Sequence, residues 1–207
     1  MKTRITLVRH AETVTNKSRS FSGRLDVELS PYGLTQIKDL TAALTTRIYD
    51  AVYSSPSQRA RMTVEPTAMR LGKEVYLRDG LFELDYGLLE GVARDKIKEI
   101  FPDVWDFFLK YDYFKGVTNQ EDPEDGFKRF TDCLVEIARS HPNQSVLVAS
   151  HGMIIRIFLC LIKRLQLSDF PEISRIKNTA ITELEYDIES NSFTVLLENN
   201  TDHEDII

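Results

Sequence analysis

The sequence predicts an α/β fold, a mostly parallel sheet covered by helices, on three observations. Short β-branched runs alternate with longer amphipathic segments along the chain. The run Ser145-Val146-Leu147-Val148-Ala149 is continuous and apolar, as a strand buried on both faces should be. Ser30-Pro31 supplies a helix N-cap followed by a proline whose fixed φ suits the first helical position.

The elements follow in order. Residues 5–8 read as a first strand, and a long loop then runs to Leu29. A helix from Pro31 continues to about residue 46, residues 51–54 form a second strand, and a helix over 57–71 lies behind it. Residues 74–77 are a third strand. Residues 94–139 read mostly helical, broken by Pro102 and an acidic loop into three helices. Phe101, Trp105, Phe108, Leu109 and Phe114 give this region a core-forming face, and a helical insert there is well placed to roof a pocket. The fourth strand, 145–149, precedes a helix starting after Gly152. Two last strands, 179–186 and 192–198, are joined by a polar hairpin turn.

Composition narrows the function classes. With 207 residues, 42% hydrophobic and 28% charged, the chain is ordinary globular material. It is long enough to bury roughly 70% of its unfolded surface without metal or disulfide staples. One domain over 1–207 is expected, with the helical insert at about 92–140. No run approaches the ~18 apolar residues of a membrane span, and the apolar segment after Met1-Lys2-Thr3-Arg4 is too short for a signal peptide, so a cytoplasmic protein is expected. Cys133 and Cys160 lack metal-ligand spacing and read as buried free thiols. The net charge of −6 is concentrated in residues 119–126 and 199–207, which hold seven acids and no Lys or Arg. They read as a solvated loop and a frayed tail. The remaining body carries about one positive charge and no basic stripe, so neither nucleic acid nor a membrane is an expected partner. The last strand could offer an edge for homodimer pairing.

Two histidines stand at carboxyl ends of predicted strands, where open α/β sheets bind ligands. Arg9-His10 follows the first strand and Ser150-His151-Gly152 the fourth. Arg59, early in the helix after the second strand, and Glu83, past the third, belong to the same crest. Taken singly, each residue has a commonplace structural role; the set suits phosphoryl transfer. A neutral imidazole attacks phosphorus, guanidinium forks match phosphoryl oxygens, and a carboxyl held protonated can donate to a departing alkoxide. A serine hydrolase on Ser150-His151 lacks the Gly-x-Ser-x-Gly elbow, Walker and dinucleotide fingerprints are absent, and two histidines without clustered Asp do not make a two-metal clamp.

The residues Leu7-Val8-Arg9-His10-Ala11-Glu12-Thr13, Asn16, Ser22-Gly23 and Leu29-Ser30-Pro31-Tyr32-Gly33 resemble the opening of the histidine phosphatase superfamily, also called phosphoglycerate mutase-like. Three later signatures are similar to that family's: Ser54-Ser55-Pro56 with Arg59-Ala60 and Thr63, Phe82-Glu83 with Tyr86-Gly87 and Glu90-Gly91, and Ser150-His151-Gly152. The resemblance implies a three-layer αβα sandwich with a mostly parallel sheet and an antiparallel edge strand. It implies His10 as the transiently phosphorylated nucleophile, with Arg9, Arg59 and His151 completing a phosphate pocket. Glu83 matches the proton donor, and Asn16, Ser22 and Gly23 match positions that contact phosphate or substrate. Neither metal nor cofactor is implied. Ala11 stands where the family usually has glycine.

The expected activity is hydrolysis of small phosphorylated metabolites through phosphohistidine. A cofactor-dependent phosphoglycerate mutase and a catalytically silent phospholigand-binding domain are the alternatives. Arg24, Tyr86 and the aromatic insert are candidate substrate selectors.

Overall fold

The computed structural model describes residues 1–205. In chain order these form β1 (Lys2–Arg9), α1 (Val14–Lys17), α2 (Pro31–Ala43), β2 (Ala51–Ser54), α3 (Gln58–Arg70) and β3 (Val75–Leu77). The insert follows as α4 (Arg94–Ile100), α5 (Pro102–Tyr111) and α6 (Pro123–Ser140). The chain continues through β4 (Ser145–Ser150), α7 (Gly152–Ile162), β5 (Ile181–Asp187) and β6 (Ser192–Asn200). The sheet order is β3-β2-β4-β1-β5-β6.

Alternation along the central strands explains the layers. Ile5, Leu7, Val146 and Val148 point to one face, packed against buried residues of α6 and α7 such as Phe130, Leu134, Ile154 and Phe158. Val8, Leu147 and Ala149 point to the other, against Leu40 of α2 and Ala60 and Val64 of α3. Each side chain of this size removed from water contributes about 1.5–3 kcal/mol before entropy is counted. With helices on both faces the central strands must be apolar throughout, and Val146 to Ala149 are fully buried.

Register then places the strand ends. β1 and β4 pair in parallel with Arg9 opposite Ser150, and β2 pairs with β4 with Ser54 opposite Ala149. His10, His151 and Ser55, the next residue after each strand, therefore leave the sheet side by side.

Several expectations are corrected. The strand running against the others is β5, one place in from the edge, because β6 folds back on it and becomes the edge itself. The loop before Leu29 contains a helical turn, α1, capped by Thr13 and Asn16. Leu109 is 62% exposed and lies outside the core, whereas Phe108 and Phe114 stack in it with centroids 4.5 Å apart.

The acidic loop is not merely solvated. Glu121 takes Nε and Nη2 of Arg129 at 2.7 and 2.9 Å, and Asp122 caps α6 through the Glu124 amide. These cationic bonds hold the Glu121 carboxyl below its usual range against the opposing pull of burial. The tail is likewise folded over 202–205, where buried His203 meets Thr179 and Glu204 accepts from Gln36. Residues 206–207 of the expected frayed tail lie outside the described residues. Cys133 and Cys160 are both buried and free. Among the described residues no helix is long and apolar enough to cross a membrane.

Candidate active site

At the carboxyl end of the sheet lies a cavity of about 260 Å³, a size suited to a small ligand. Arg9, His10, Asn16, Ser22, Gly23, Arg59 and Glu83 line it. His151 is fully buried beneath, its ring centroid 5.2 Å from that of His10. Residues separated by up to 142 positions thus converge because four strand ends and two helix starts open on the same side of the sheet.

His10 is held in one tautomer. Its Nδ1 lies 2.8 Å from the Ala11 carbonyl, an acceptor only, so Nδ1 carries the proton and Nε2 keeps its lone pair. Burial first, then the charges of Arg59 and Arg9, hold its pKa well below the ordinary histidine value. His10 is therefore 5% exposed, neutral and oriented. The same causes, burial before Arg59 and His10, keep His151 neutral as well. Ala11 fits without strain: its φ is not in the left-handed region, it is fully buried, and its amide donates to Thr63 Oγ1 at 3.0 Å.

The two guanidinium groups are pinned by carbonyls rather than acids. Arg59 donates to the Leu25 and Gly23 carbonyls at 2.7 Å each, and Arg9 to the Ile176 carbonyl at 2.5 Å. Their Nε atoms and Nδ1 of His151 are buried without a protein partner among the described residues. Orphaned buried polar groups of this kind cost about 1–3 kcal/mol each. Their gathering at one cavity is what an anion-binding site requires.

Two glycines make the room. A Cβ on Gly152 would stand 2.9 Å from Arg9 Nε, so a side chain there would displace the guanidinium from the start of α7. Gly23 adopts φ +51°, and a Cβ on it would overlap the Glu90 carboxylate. That carboxylate accepts from the Arg24 and Tyr86 amides at 2.7 and 3.2 Å, tying the loop over the cavity to the segment bearing Glu83.

Glu83 sits at the amino end of α7. Its Oε1 accepts from the Leu84 and Ile154 amides and its Oε2 from the Met153 amide, at 2.8–3.1 Å. Burial pushes its pKa up, while those three amides and Arg59 pull it down; the net direction is up. The Gly80–Glu83 backbone is fixed from behind by Arg129, which donates to the Gly80 and Phe82 carbonyls at 2.8 and 3.0 Å.

Other sequence assignments are met unevenly. Asn16 accepts from Asn178 Nδ2, which also donates to the His10 carbonyl at 2.9 Å, and Ser22 pairs with Thr15 at 2.6 Å. Of the candidate selectors, Tyr86 and Phe108 line the cavity, whereas Arg24 turns aside to Glu121. Sequence reading missed Arg19, Arg94, Asp112, Arg156 and Arg175, which form the wall beside the insert. None lies at a strand end or in a spaced motif. The one available signal was Arg156, a charged residue in the otherwise apolar run of α7.

The curated relatives include a putative phosphoserine phosphatase 2 from Hydrogenobacter thermophilus, 30% identical over 93% of this chain and 94% of its own. Phosphoserine phosphatase 1 of the same organism is 30% identical over 81% and 79%. Among solved structures, Bacillus stearothermophilus YhfR superposes with a TM-score of 0.91 at 26% identity, covering 97% of this chain and 98% of that one. The model of the histidine phosphatase superfamily, branch 1, matches residues 5–201, and the chain belongs to that family.

Proposed function

We propose that the protein hydrolyses small phosphomonoesters through a phosphohistidine on His10, with Arg9, Arg59 and His151 holding the phosphoryl group and Glu83 moving the proton. The observation that carries this reading is the free lone pair of His10 Nε2 in a cavity lined by Arg9 and Arg59 and underlain by His151, whose Nε, Nε and Nδ1 atoms have no protein partner among the described residues.

Nε2 attacks phosphorus as the ester P–O bond breaks, and the guanidinium groups balance the charge that develops on the phosphoryl oxygens. Glu83 gives its proton to the departing alkoxide. Its Oε2, which among the described residues accepts only the Met153 amide, has the lone pair free to carry that proton. Water then enters; Glu83 removes its proton, the new P–O bond forms, the N–P bond breaks, and neutral His10 returns. Asn16, Ser22 and Gly23 shape the rim against the substrate, with the helices of the insert above them.

The protein acts as one domain over 1–207 in this reading, needing no metal or cofactor. A cytoplasmic setting is favoured by two buried, unpaired thiols. The phosphoserine phosphatases among the relatives make phosphoserine a first substrate to try. The test is acid-quenched labelling with a ³²P-phosphomonoester. An acid-labile phosphohistidine should form in the wild type, while His10→Ala should show neither label nor turnover, a loss beyond 10⁴-fold on the scale of a removed nucleophile. Steady turnover by His10→Ala would refute the assignment.

A further inference from the structure

The wall beside the insert carries more positive charge than one phosphoryl group needs. Six arginines line the cavity (9, 19, 59, 94, 156 and 175), and the acids among its lining residues are Glu83 and Asp112. Arg9 and Arg59 belong to the floor. Of the other four, Arg156 and Arg175 share the one carboxylate of Asp112, and Arg94 and Arg19 have no acid within ion-pair distance among the described residues.

The wall is built rather than incidental. Asp112 takes a left-handed conformation, φ +57°, as the chain leaves α5, which aims its carboxylate back toward α7. Arg156, 4% exposed, reaches it at 2.5 Å and donates its other nitrogens to the Ile173 and Phe170 carbonyls at 2.7 and 3.0 Å. Arg175 grips both carboxylate oxygens from the opposite side while staying 61% exposed. Arg94 lies over the rings of Trp105 and Phe108 at 5.4 and 5.0 Å. Its charged neighbours are Arg175, Asp112 and Arg19, two of them cations. Like charges gathered at a rim, with one shared counterion, are unfavourable until a further anion arrives.

We infer that Arg94 and Arg175, with Asp112 and Arg156 as their brace, form a subsite for a second anionic group, so the preferred substrates are phosphomonoesters that also bear a carboxylate or another phosphoryl group. This rests on the phosphomonoesterase reading and adds a substrate class to it. Guanidinium forks match either anion, and matched substrate pairs separate the two sources.

The experiment compares kcat/KM within pairs that differ by that group: phosphoserine with phosphoethanolamine for a carboxylate, fructose 1,6-bisphosphate with fructose 6-phosphate for a phosphoryl group. The wild type should favour the more anionic member of at least one pair tenfold or more. In Arg94→Gln/Arg175→Gln that advantage should shrink at least fivefold, mainly through KM, and Arg94→Lys/Arg175→Lys should recover part of it. Arg94→Gln alone, which breaks no ion pair, should move the ratio in the same direction and separates the effect from a folding defect. Equal treatment within both pairs by the wild type, or an equal loss on both members in the variants, overturns the subsite. Absence of turnover on every ester, p-nitrophenyl phosphate included, overturns the parent reading along with it.

Discussion

The floor and the insert wall of the cavity both present arginine, yet they are built oppositely. On the floor, buried Arg59 and half-buried Arg9 are fixed by backbone carbonyls, and their Nε atoms have no protein partner among the described residues. On the wall, Arg156 and Arg175 share a carboxylate, Arg156 donating to two carbonyls besides, and Arg175 remains largely open to solvent. Carbonyls orient a guanidinium without neutralising it, so the floor keeps its full charge for a dianion in a dry setting where each interaction counts for more. The wall spends part of its charge holding the insert against α7 and offers the remainder through water. A rigid floor suits the reacting group, and a screened wall suits recognition of whatever else the substrate carries.

Breaking the floor should therefore cost the most. Arg59→Ala removes a preorganised charge partner and should lower kcat/KM about 10²–10³-fold, the scale found for one lost transition-state donor. A loss under tenfold, measured on p-nitrophenyl phosphate, would mean that the floor is no stronger than the wall. Gly152→Ala tests geometry alone, since its methyl would stand 2.9 Å from Arg9 Nε. Displacing a reacting partner by about 1 Å can cost up to 10²-fold, so a fall of tens-fold in kcat with retained thermal stability is expected. An unchanged kcat would show that Arg9 has slack.

Glu83→Gln sharpens the comparison through the leaving group. Alkyl phosphates should lose about 10²–10⁴-fold, in line with removal of a general acid, and p-nitrophenyl phosphate far less, because p-nitrophenolate departs without a proton. Equal losses on both would remove Glu83 from the proton path.

The smallest expected effect is in pH. His10 is depressed, so its imidazole remains neutral, as the proposed nucleophile must be, at pH values where an ordinary histidine is half protonated. The acid limb of kcat/KM should consequently fall below pH ~6.5. Stability follows the same sign: between the depressed folded value and that of the unfolded chain, the unfolded state binds the extra proton, so lowering the pH through this window weakens folding. A limb at or above pH 6.5 would contradict the buried, cation-flanked environment of His10.

The floor was legible in the sequence because strand ends are local signals. Val8 and Ala149 announce buried strands, and Arg9-His10 and Ser150-His151 follow them directly. Glu121 was not legible as a support. A run of acids reads as solvated until its partner is known, and Arg129, which links Glu121 to the Glu83 segment, comes eight residues later on the next helix. Arg94, Asp112 and Arg175 belong to three separate stretches, and surface arginine is common enough to carry no pattern.

The sequence by itself determined the layers, the strand ends and which residues crown them, since these follow from periodicity and from sheet geometry that holds along any such chain. Tertiary structure alone decided that His10 keeps its lone pair on Nε2, that Asp112 turns back to Arg156, and that Glu83 rests on the first amides of α7. Tautomer, charge pairing and protonation depend on which groups meet in the absence of water, and folding alone brings together residues as distant as 10 and 151.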